Sequence, residues 1–584
     1  MASILLGATV FSSLLTAPAN AQFVSPPTDL TSSKGYLDIP VRWKEVPEGI
    51  CELTPGVKSY SGYVDVFEDQ HVFWWFFESR KDPSTDPLTG SSSMIGLFQE
   101  LGPCGVDSNG EVYNNPYAWN NASNMLFIDH PAQVGFSYST PIPGYETSSN
   151  IIQLPNATCP DYAGDTCGTY SYPNQTDTAN STIDAAPSMW RTLQGFMGAF
   201  PQYAKNEFNF ATESYGGHYG PIFNAYIESQ NALIRNSSLP GAHHIELATV
   251  LIGNGWYDPL VQYQAYYNFS VFPGNTYDYD PYNQSIKDQV YNSMYGSGNC
   301  YDQTVDCNTR GINEICAAAD SFCATEVEFV LDTVTGRDEY DIRELTPDPF
   351  PYSFYVEYLN TPKVQQAIGA YVNFSESNTA VSNAFTSTGD DDREEGTIAA
   401  VRSLVEQGVY VVQFYGDADY TCNWLGGQVV SELVDAPGFS SAGYENVTTS
   451  DGVVHGQVKQ SDNFAFVRVY ESGHEVPFYQ PLLALEMFER AIHGKDIASG
   501  EVSCLKGSEG YKTVGTAEST YREGNSTVQF AVMPTNATYN TTTNAPNPVL
   551  NGTAGAVGTT KSMKMGRKAK RAFKPMSKSR NYMR

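Results

Sequence analysis

The chain alternates short apolar runs with longer stretches of helical period. Ser59–Val66 and His71–Glu78 are aromatic-rich and alternating, and the polar Glu68-Asp69-Gln70 divides them, which predicts a strand pair. Met125–Ile128, Phe208–Ala211, His244–Ile252, Val409–Phe414 and Phe464–Val469 are compact apolar or β-branched runs of the kind that become buried strands. Between them, Met189, Leu193, Phe196, Met197 and Phe200 recur at helical spacing within Ala186–Phe200, and Phe354–Ile368 and Pro481–Ile492 carry a similar pattern. Met94–Leu101 can start a helix that Gly102-Pro103 ends. Lys81–Thr89 reads as a linker running into the Ser-rich Gly90–Ser93, and Thr147–Thr182 as a polar surface loop. Strands alternating with helices predict an α/β fold, a mostly parallel sheet with helices on both faces. From Asp258 to about Asp348 the texture turns Tyr-rich, Cys-bearing and helical, as expected of an inserted cap. The expected organisation is therefore a core from 22 to 257, a cap from 258 to 348, the rest of the core from 349 to 515, and an extension from 516 to 584. That extension is Thr/Asn-rich, with one possible strand at Thr527–Met533 and disorder expected beyond Thr541.

Composition narrows the setting. The 584 residues are 41% hydrophobic, enough for a large core, and carry a net charge of −31. Lys561–Arg584 holds ten Lys or Arg and no acid, which leaves 23 basic against 64 acidic residues in the rest. An acidic body argues against nucleic acid as a partner and suits work at acidic pH. The basic tail lacks the apolar end of a lipid-anchor signal. Met1–Ala21 has the apolar run and small-residue end of a secretory signal peptide, and no later run is long enough for a membrane span. Export fits the thirteen N-x-S/T sequons, at Asn121, Asn156, Asn174, Asn180, Asn236, Asn268, Asn283, Asn373, Asn446, Asn525, Asn536, Asn540 and Asn551, so N-linked glycans are expected. It also fits ten Cys. Cys300, Cys307, Cys316 and Cys323 are spaced for a nested pairing, Cys300 with Cys323 outside Cys307 with Cys316, rather than for zinc. Cys159 with Cys167 and Cys51 with Cys104 are the other expected pairs. Cys422 and Cys504 have no evident partner.

The chemistry concentrates at strand ends. Phe208–Pro221, F-N-F-A-T-E-S-Y-G-G-H-Y-G-P, puts Ser214 after an apolar strand and before Gly216, Gly217 and Gly220. This is the pattern of a nucleophile elbow, with Thr212 in place of the usual first Gly; the competing reading is a Gly-rich surface turn. Val409–Phe414 leads into Tyr415-Gly416-Asp417-Ala418-Asp419, and Phe464–Val469 into Glu471-Ser472-Gly473-His474. Ser214, Asp419 and His474 thus follow one another in the α/β-hydrolase order. A Ser hydroxyl needs a base, His can take and return its proton, and a carboxylate behind His fixes the tautomer. Asp417 competes with Asp419 for the last role; the G-x-x-D spacing favours Asp419 on the loop beyond the strand. This chemistry needs no cofactor or metal.

Four separated segments, T-E-S-Y-G-G-H-Y-G-P, W-N-N-A-S-N-M-L-F-I-D-H-P-A-Q-V-G-F-S-Y, G-D-A-D-Y-T-C-N-W and G-H-E-V-P, make roughly Ser33–Ile492 resemble the serine carboxypeptidases, most of all fungal secreted enzymes of the S1 type. The resemblance implies an α/β-hydrolase core with a helical cap and release of single residues from peptide or protein C-termini at acidic pH. It implies Ser214, Asp419 and His474 as the triad and the Tyr215 N–H as an oxyanion donor. Glu213 and Glu100 match the acidic pair that holds the substrate's terminal carboxylate. A protonated Glu can do so by donating its O–H. Glu475 matches the acid that lines the departing residue's pocket in carboxypeptidase D-like members, where carboxypeptidase Y-like members carry Met. It points to C-terminal Lys or Arg, unless it pairs locally. One departure is large. The family carries a strand and turn reading about L-W-L-N-G-G-P-G, whereas here Asp86-Pro87-Leu88-Thr89 runs straight into Gly90-Ser91-Ser92-Ser93-Met94. About seven residues are missing, with the Asn that binds the carboxylate and the Gly that supplies the second oxyanion N–H. An impaired enzyme or a non-catalytic binding protein on the same fold is therefore the alternative, and an esterase or acyltransferase another.

Overall fold

The computed structural model describes residues 23–532 except 148–149, 272–273, 347–350 and 505–509, with the pairs 539–540 and 545–546. The expected signal peptide, the basic tail and, apart from Ala545-Pro546, the disorder expected beyond Thr541 lie outside the described residues.

Twelve strands form one sheet: β1 Thr31–Lys34, β2 Pro40–Val46, β3 Ser59–Phe67, β4 Gln70–Phe77, β5 Leu88–Ser92, β6 Asn124–Ile128, β7 Phe208–Glu213, β8 Leu247–Gly253, β9 Tyr410–Gly416, β10 Tyr444–Thr448, β11 Val454–Ser461 and β12 Phe464–Val469. Their spatial order is β1-β2-β3-β4-β6-β5-β7-β8-β9-β12-β11-β10. The six from β6 to β12 in that order run parallel, and the outer strands on both sides are antiparallel. Both faces are covered, which is why the strands read as continuous apolar runs. Along β4 the side chains divide between two cores: Trp74 and Phe76 pack with Phe196, Phe200 and Phe210, while Trp75 and Phe77 pack with Met94, Phe127 and Phe488. Helices Thr182–Ala199 and Gly216–Arg235 supply apolar residues to the first core, and helix Pro481–Ile492 to the second. Helices from Pro259–Ser270 to Val330–Thr335 fill the stretch expected to be a cap. Disulfides join Cys300 to Cys323 and Cys307 to Cys316 there, and Cys159 to Cys167 and Cys51 to Cys104 elsewhere. Cys422 and Cys504 are buried free thiols.

Three expectations are corrected. Thr147–Thr182 is not simply a surface loop: Ile151–Gln153 and Cys167–Ser171 flank Pro141–Glu146 in a three-stranded antiparallel sheet. Thr527–Met533 holds no strand among its described residues; Asn525–Thr527 is a single 3₁₀ turn, and bends follow at Phe530 and Ala531. The most consequential correction concerns Leu88–Ser92, read as the end of a linker and a Ser-rich turn. It is a central parallel strand, with Leu88 opposite Asn124 and Phe208 and Gly90 opposite Leu126 and Phe210. Its composition is poor for a strand, but ladders on both sides and complete burial of Leu88, Thr89, Gly90 and Ser91 override propensity. Thr89 Oγ1 meets Ser123 Oγ at 2.7 Å, and a Cβ on Gly90 would stand 3.0 Å from the Phe208 ring. The sheet is continuous through this segment. Ser93 alone separates β5 from the helical turn that starts at Met94, and its N–H donates to Ile128 O at 3.1 Å.

Leu88, 1% exposed, then belongs to the core. Leu88→Ala should cost about 2–5 kcal/mol in a denaturant melt; a change within about 0.5 kcal/mol would return the segment to a surface linker.

Candidate active site

Ser214 stands between β7 and the helix Gly216–Arg235 with φ of +61°, a conformation rare outside glycine. The turn is held on three sides. Its N–H donates to Gly253 O at 3.0 Å, and its carbonyl accepts from Gly217 and Trp256 N–H, each at 2.9 Å. The glycines behind it are sterically required. A Cβ on Gly216 would lie 2.2 Å from Thr212 Oγ1, and one on Gly217 2.3 Å from Trp256 O. Such a turn holds strain that its surroundings fix in place. Tyr215 is the residue at the helix N-cap, so its N–H stands among donors without an intrahelical partner, at the positive end of the helix dipole. Its hydroxyl donates to Asp390 Oδ2 at 2.6 Å.

Two further strand ends converge here. Asp419, beyond β9, has no exposed surface, and its Oδ2 lies 2.9 Å from His474 Nδ1. The same oxygen accepts from Asn254 Nδ2 at 2.6 Å and from the Cys422 N–H at 3.2 Å. Asp417 is occupied otherwise: it accepts from Tyr277 Oη at 2.7 Å and the Glu471 N–H at 3.0 Å, and lies 3.6 Å from buried Arg468. Of the two acids, only Asp419 faces the histidine. Possible ligand atoms of Cys422, Asp419 and His474 all lie within 4.8 Å of one another.

Three glutamates border the histidine. Glu100 is buried, and Glu213 and Glu475 are half-buried. Burial first, and then the charges of Glu100 and Glu475, push Glu213 well above the usual carboxylate range. Burial raises Glu100 too, against its hydrogen bond to Glu213 and the nearby His474. Glu475 is pushed up to about 7, by burial and then by Glu100 against the pull of His474. Burial alone would lower His474; Asp419, Glu475 and Glu100 outweigh it and raise the imidazole to about 9. Glu100 also lines a crevice with Phe98, Tyr113, Tyr355 and Phe478.

Sequence reasoning missed three residues here. Asn254 follows β8 in G-N-G and joins Asp419 to Gly416, whose N–H donates to Asn254 Oδ1 at 3.1 Å. Tyr340 sets its ring edge-on to His474 at 5.0 Å, with its carbonyl accepting the His474 N–H at 2.9 Å. Asp390 accepts from Tyr215 and from Thr182. The only available signals were an Asn between glycines after an apolar strand and an aromatic in a polar cap loop. A second group of possible ligand atoms, on His218, Asp390 and Glu395, lies behind the elbow within 4.8 Å of one another. Burial and the adjacent Asp390 push Glu395 up to about 9.

Comparison with known proteins identifies the family. Residues 47–157 and 165–494 match the serine carboxypeptidase family. Carboxypeptidase S1 homolog B of Arthroderma otae is 38% identical over 547 aligned residues, spanning 85% of this chain and 83% of that protein. Carboxypeptidase S1 of Penicillium janthinellum is 39% identical over 464, spanning 77% of this chain and 99% of that protein. The crystal structure of a prohormone-processing carboxypeptidase from Saccharomyces cerevisiae superposes with a TM-score of 0.58 at 20% identity, over 76% of this chain and 94% of the other, and shows the same α/β-hydrolase fold. The chain belongs to the serine carboxypeptidase family.

Proposed function

We propose that this serine-type carboxypeptidase releases single C-terminal residues from peptides at acidic pH, with Ser214, His474 and Asp419 as its triad. The observation that carries the reading is the buried Asp419–His474 contact at 2.9 Å beside a Ser held at positive φ. His474 takes the Ser214 proton as Oγ attacks the scissile carbonyl. It returns that proton to the departing amine, and water then hydrolyses the acyl-enzyme by the same route in reverse. The Tyr215 N–H donates to the developing oxyanion.

Glu213 and Glu100 are the terminal-carboxylate clamp. Their raised protonation makes one an O–H donor to an incoming carboxylate, which an ionised pair would repel. Protonating Glu475 and Glu100 removes two of the anions that favour imidazolium, which lowers the His474 pKa from about 9, while Asp419 continues to hold it up. Glu475, beside His474 and only half-buried, lines the departing side chain's pocket in this reading, where an arriving Lys or Arg cation lowers its pKa and pairs with the carboxylate. Export into an acidic medium fits the sequons whose Asn is exposed, at 156, 180, 236, 283, 446 and 525, which we assign as glycan acceptors. Asn373 is 6% exposed with its amide held by Asn360 and the Thr169 N–H, and is not assigned one. A second reading, an enzyme slowed by loss of an oxyanion donor, is favoured by the one-residue loop at Ser93. Each such donor is worth about 10²–10³ in rate.

The direct test is a blocked dipeptide ending in Arg or Leu, offered at pH 4.5 to the full chain and to a form with L-W-L-N-G-G-P inserted after Thr89. Release of the last residue, lost in Ser214→Ala and cut about 10³–10⁴-fold in Asp419→Asn, is expected. Glu475→Met should lower the Arg-to-Leu ratio by about tenfold or more. A ratio unmoved by that change removes Glu475 from specificity, and a gain only on insertion supports the slowed enzyme.

Stability should follow the same protons. Glu213 lies well above its ordinary value of 4.5, Glu475 at about 7, and half-buried Glu328 and buried Asp392 at about 8. Burial is the leading cause in each. These acids hold protons in the folded state that the unfolded chain releases from about pH 4 upward. Their contribution is therefore complete below about pH 4 and is lost as pH rises to about 8. The melting temperature should be higher at pH 4.5 than at 7.5, and Glu213→Gln should flatten the difference. Equal melting temperatures would contradict this.

A further inference from the structure

The segment after residue 494 lies beyond the family match, yet Ser519–Phe530 is not a loose end. It has no helix or strand apart from the turn Asn525–Thr527, and lies as a strap with two anchors. The first is on the strand that leads to His474. Arg468, 1% exposed in β12, donates from Nη1 to Ser519 Oγ at 2.8 Å and from Nη2 to Tyr521 O at 2.9 Å. The Tyr521 ring stacks on Tyr470 at 3.7 Å, four residues before His474. Midway, the Glu523 N–H donates to Thr276 O at 3.0 Å, and Arg522 Nε to Asp278 Oδ1 at 2.7 Å.

The second anchor is on the loop from 337 to 346. The Gln529 N–H donates to Arg343 O at 2.8 Å, and its side-chain amide donates to Glu344. Arg337, 2% exposed, donates to Gln529 O and, at 3.0 Å, to Arg343 O, while its guanidinium lies 4.4 Å from the Tyr279 ring and 5.8 Å from Phe530. This loop is the one that touches the catalytic pair. Tyr340 O accepts the His474 N–H, Glu339 O accepts the Tyr420 N–H at 3.0 Å, and the Ile342 N–H donates to Ala418 O at 2.8 Å. Residues 418 and 420 flank Asp419. Tyr340 itself is 43% exposed, so its position depends on how the loop is anchored at its ends.

We propose that the strap Ser519–Phe530 is a positioning element for His474, gripping the histidine loop at Tyr470 and the loop opposite it through Arg337. It contacts neither substrate nor reacting atoms. It restricts the two backbone segments between which the imidazole is held, and a misplacement of about 1 Å there can cost as much as 10²-fold in rate. The proposal rests on the triad reading above, and its test separates the two. Chains ending at Val532 and at Ala517 are compared with the full chain on the blocked dipeptide, well below their melting temperatures. The Val532 chain keeps the strap and should keep full kcat. The Ala517 chain should lose kcat about ten- to a hundredfold with KM changed less than about twofold. Tyr521→Ala and Arg337→Gln, in the full chain, should show the same split between kcat and KM, and Tyr521→Phe should restore kcat. If the Ala517 chain does not fold, these point variants decide. Unchanged kcat in both Tyr521→Ala and Arg337→Gln overturns the proposal, as does a loss confined to melting temperature. The rate at which a fluorophosphonate labels Ser214 gives the same comparison without peptide turnover. A full chain that labels but does not cleave dipeptides would remove the peptidase reading and leave the strap testable, whereas one that does neither overturns both.

Discussion

A carboxylate without exposed surface is costly unless donors converge on it. At Asp419 they do: Asn254 at 2.6 Å, His474 at 2.9 Å and the Cys422 N–H at 3.2 Å. These donors come from the ends of β8 and β12 and from the loop after β9, three adjacent parallel strands. The site therefore depends on the parallel sheet being complete and in register. Asn254 makes that dependence explicit, since one side chain joins Asp419 to the Gly416 N–H at the end of β9. Ser214 obeys the same constraint, because its turn is held by Gly253 and Trp256 from the neighbouring strand end.

The second constraint is the proton inventory. A chain with 64 acidic residues and 33 basic ones buries many carboxyls without cationic partners. Burial raises Asp129 to about 7 and Asp258 to about 6. The glutamates around His474 extend that tendency into the site. In the proposed mechanism the same protons that let these groups stay buried also let two of them bind a carboxylate.

Legibility followed the density of local signal. Ser214, Asp419 and His474 each stood at the end of an apolar run, and their types and order were enough to propose a site. Glu213 and Glu100 were legible only through resemblance, since nothing local says that two acids 113 positions apart meet. Leu88–Ser92 was misread because Thr, Gly and Ser carry no strand pattern; ladders on both sides impose one, and no single sequence displays a ladder. Asn254 was missed because its partner is 165 positions away. The end of the strap was misread as the start of a strand at Thr527–Met533 because a segment anchored by side chains from elsewhere has no period of its own.

The central claim is that Ser214 is an activated nucleophile in a fold made complete by Leu88–Ser92. The most direct measurement is stoichiometric labelling of the purified chain with a fluorophosphonate, followed by peptide mapping. The account predicts one adduct per chain, on Ser214, formed rapidly in the wild type and at least about a thousandfold more slowly in His474→Ala. A folded protein that gains no adduct, or gains it at another residue, would contradict it.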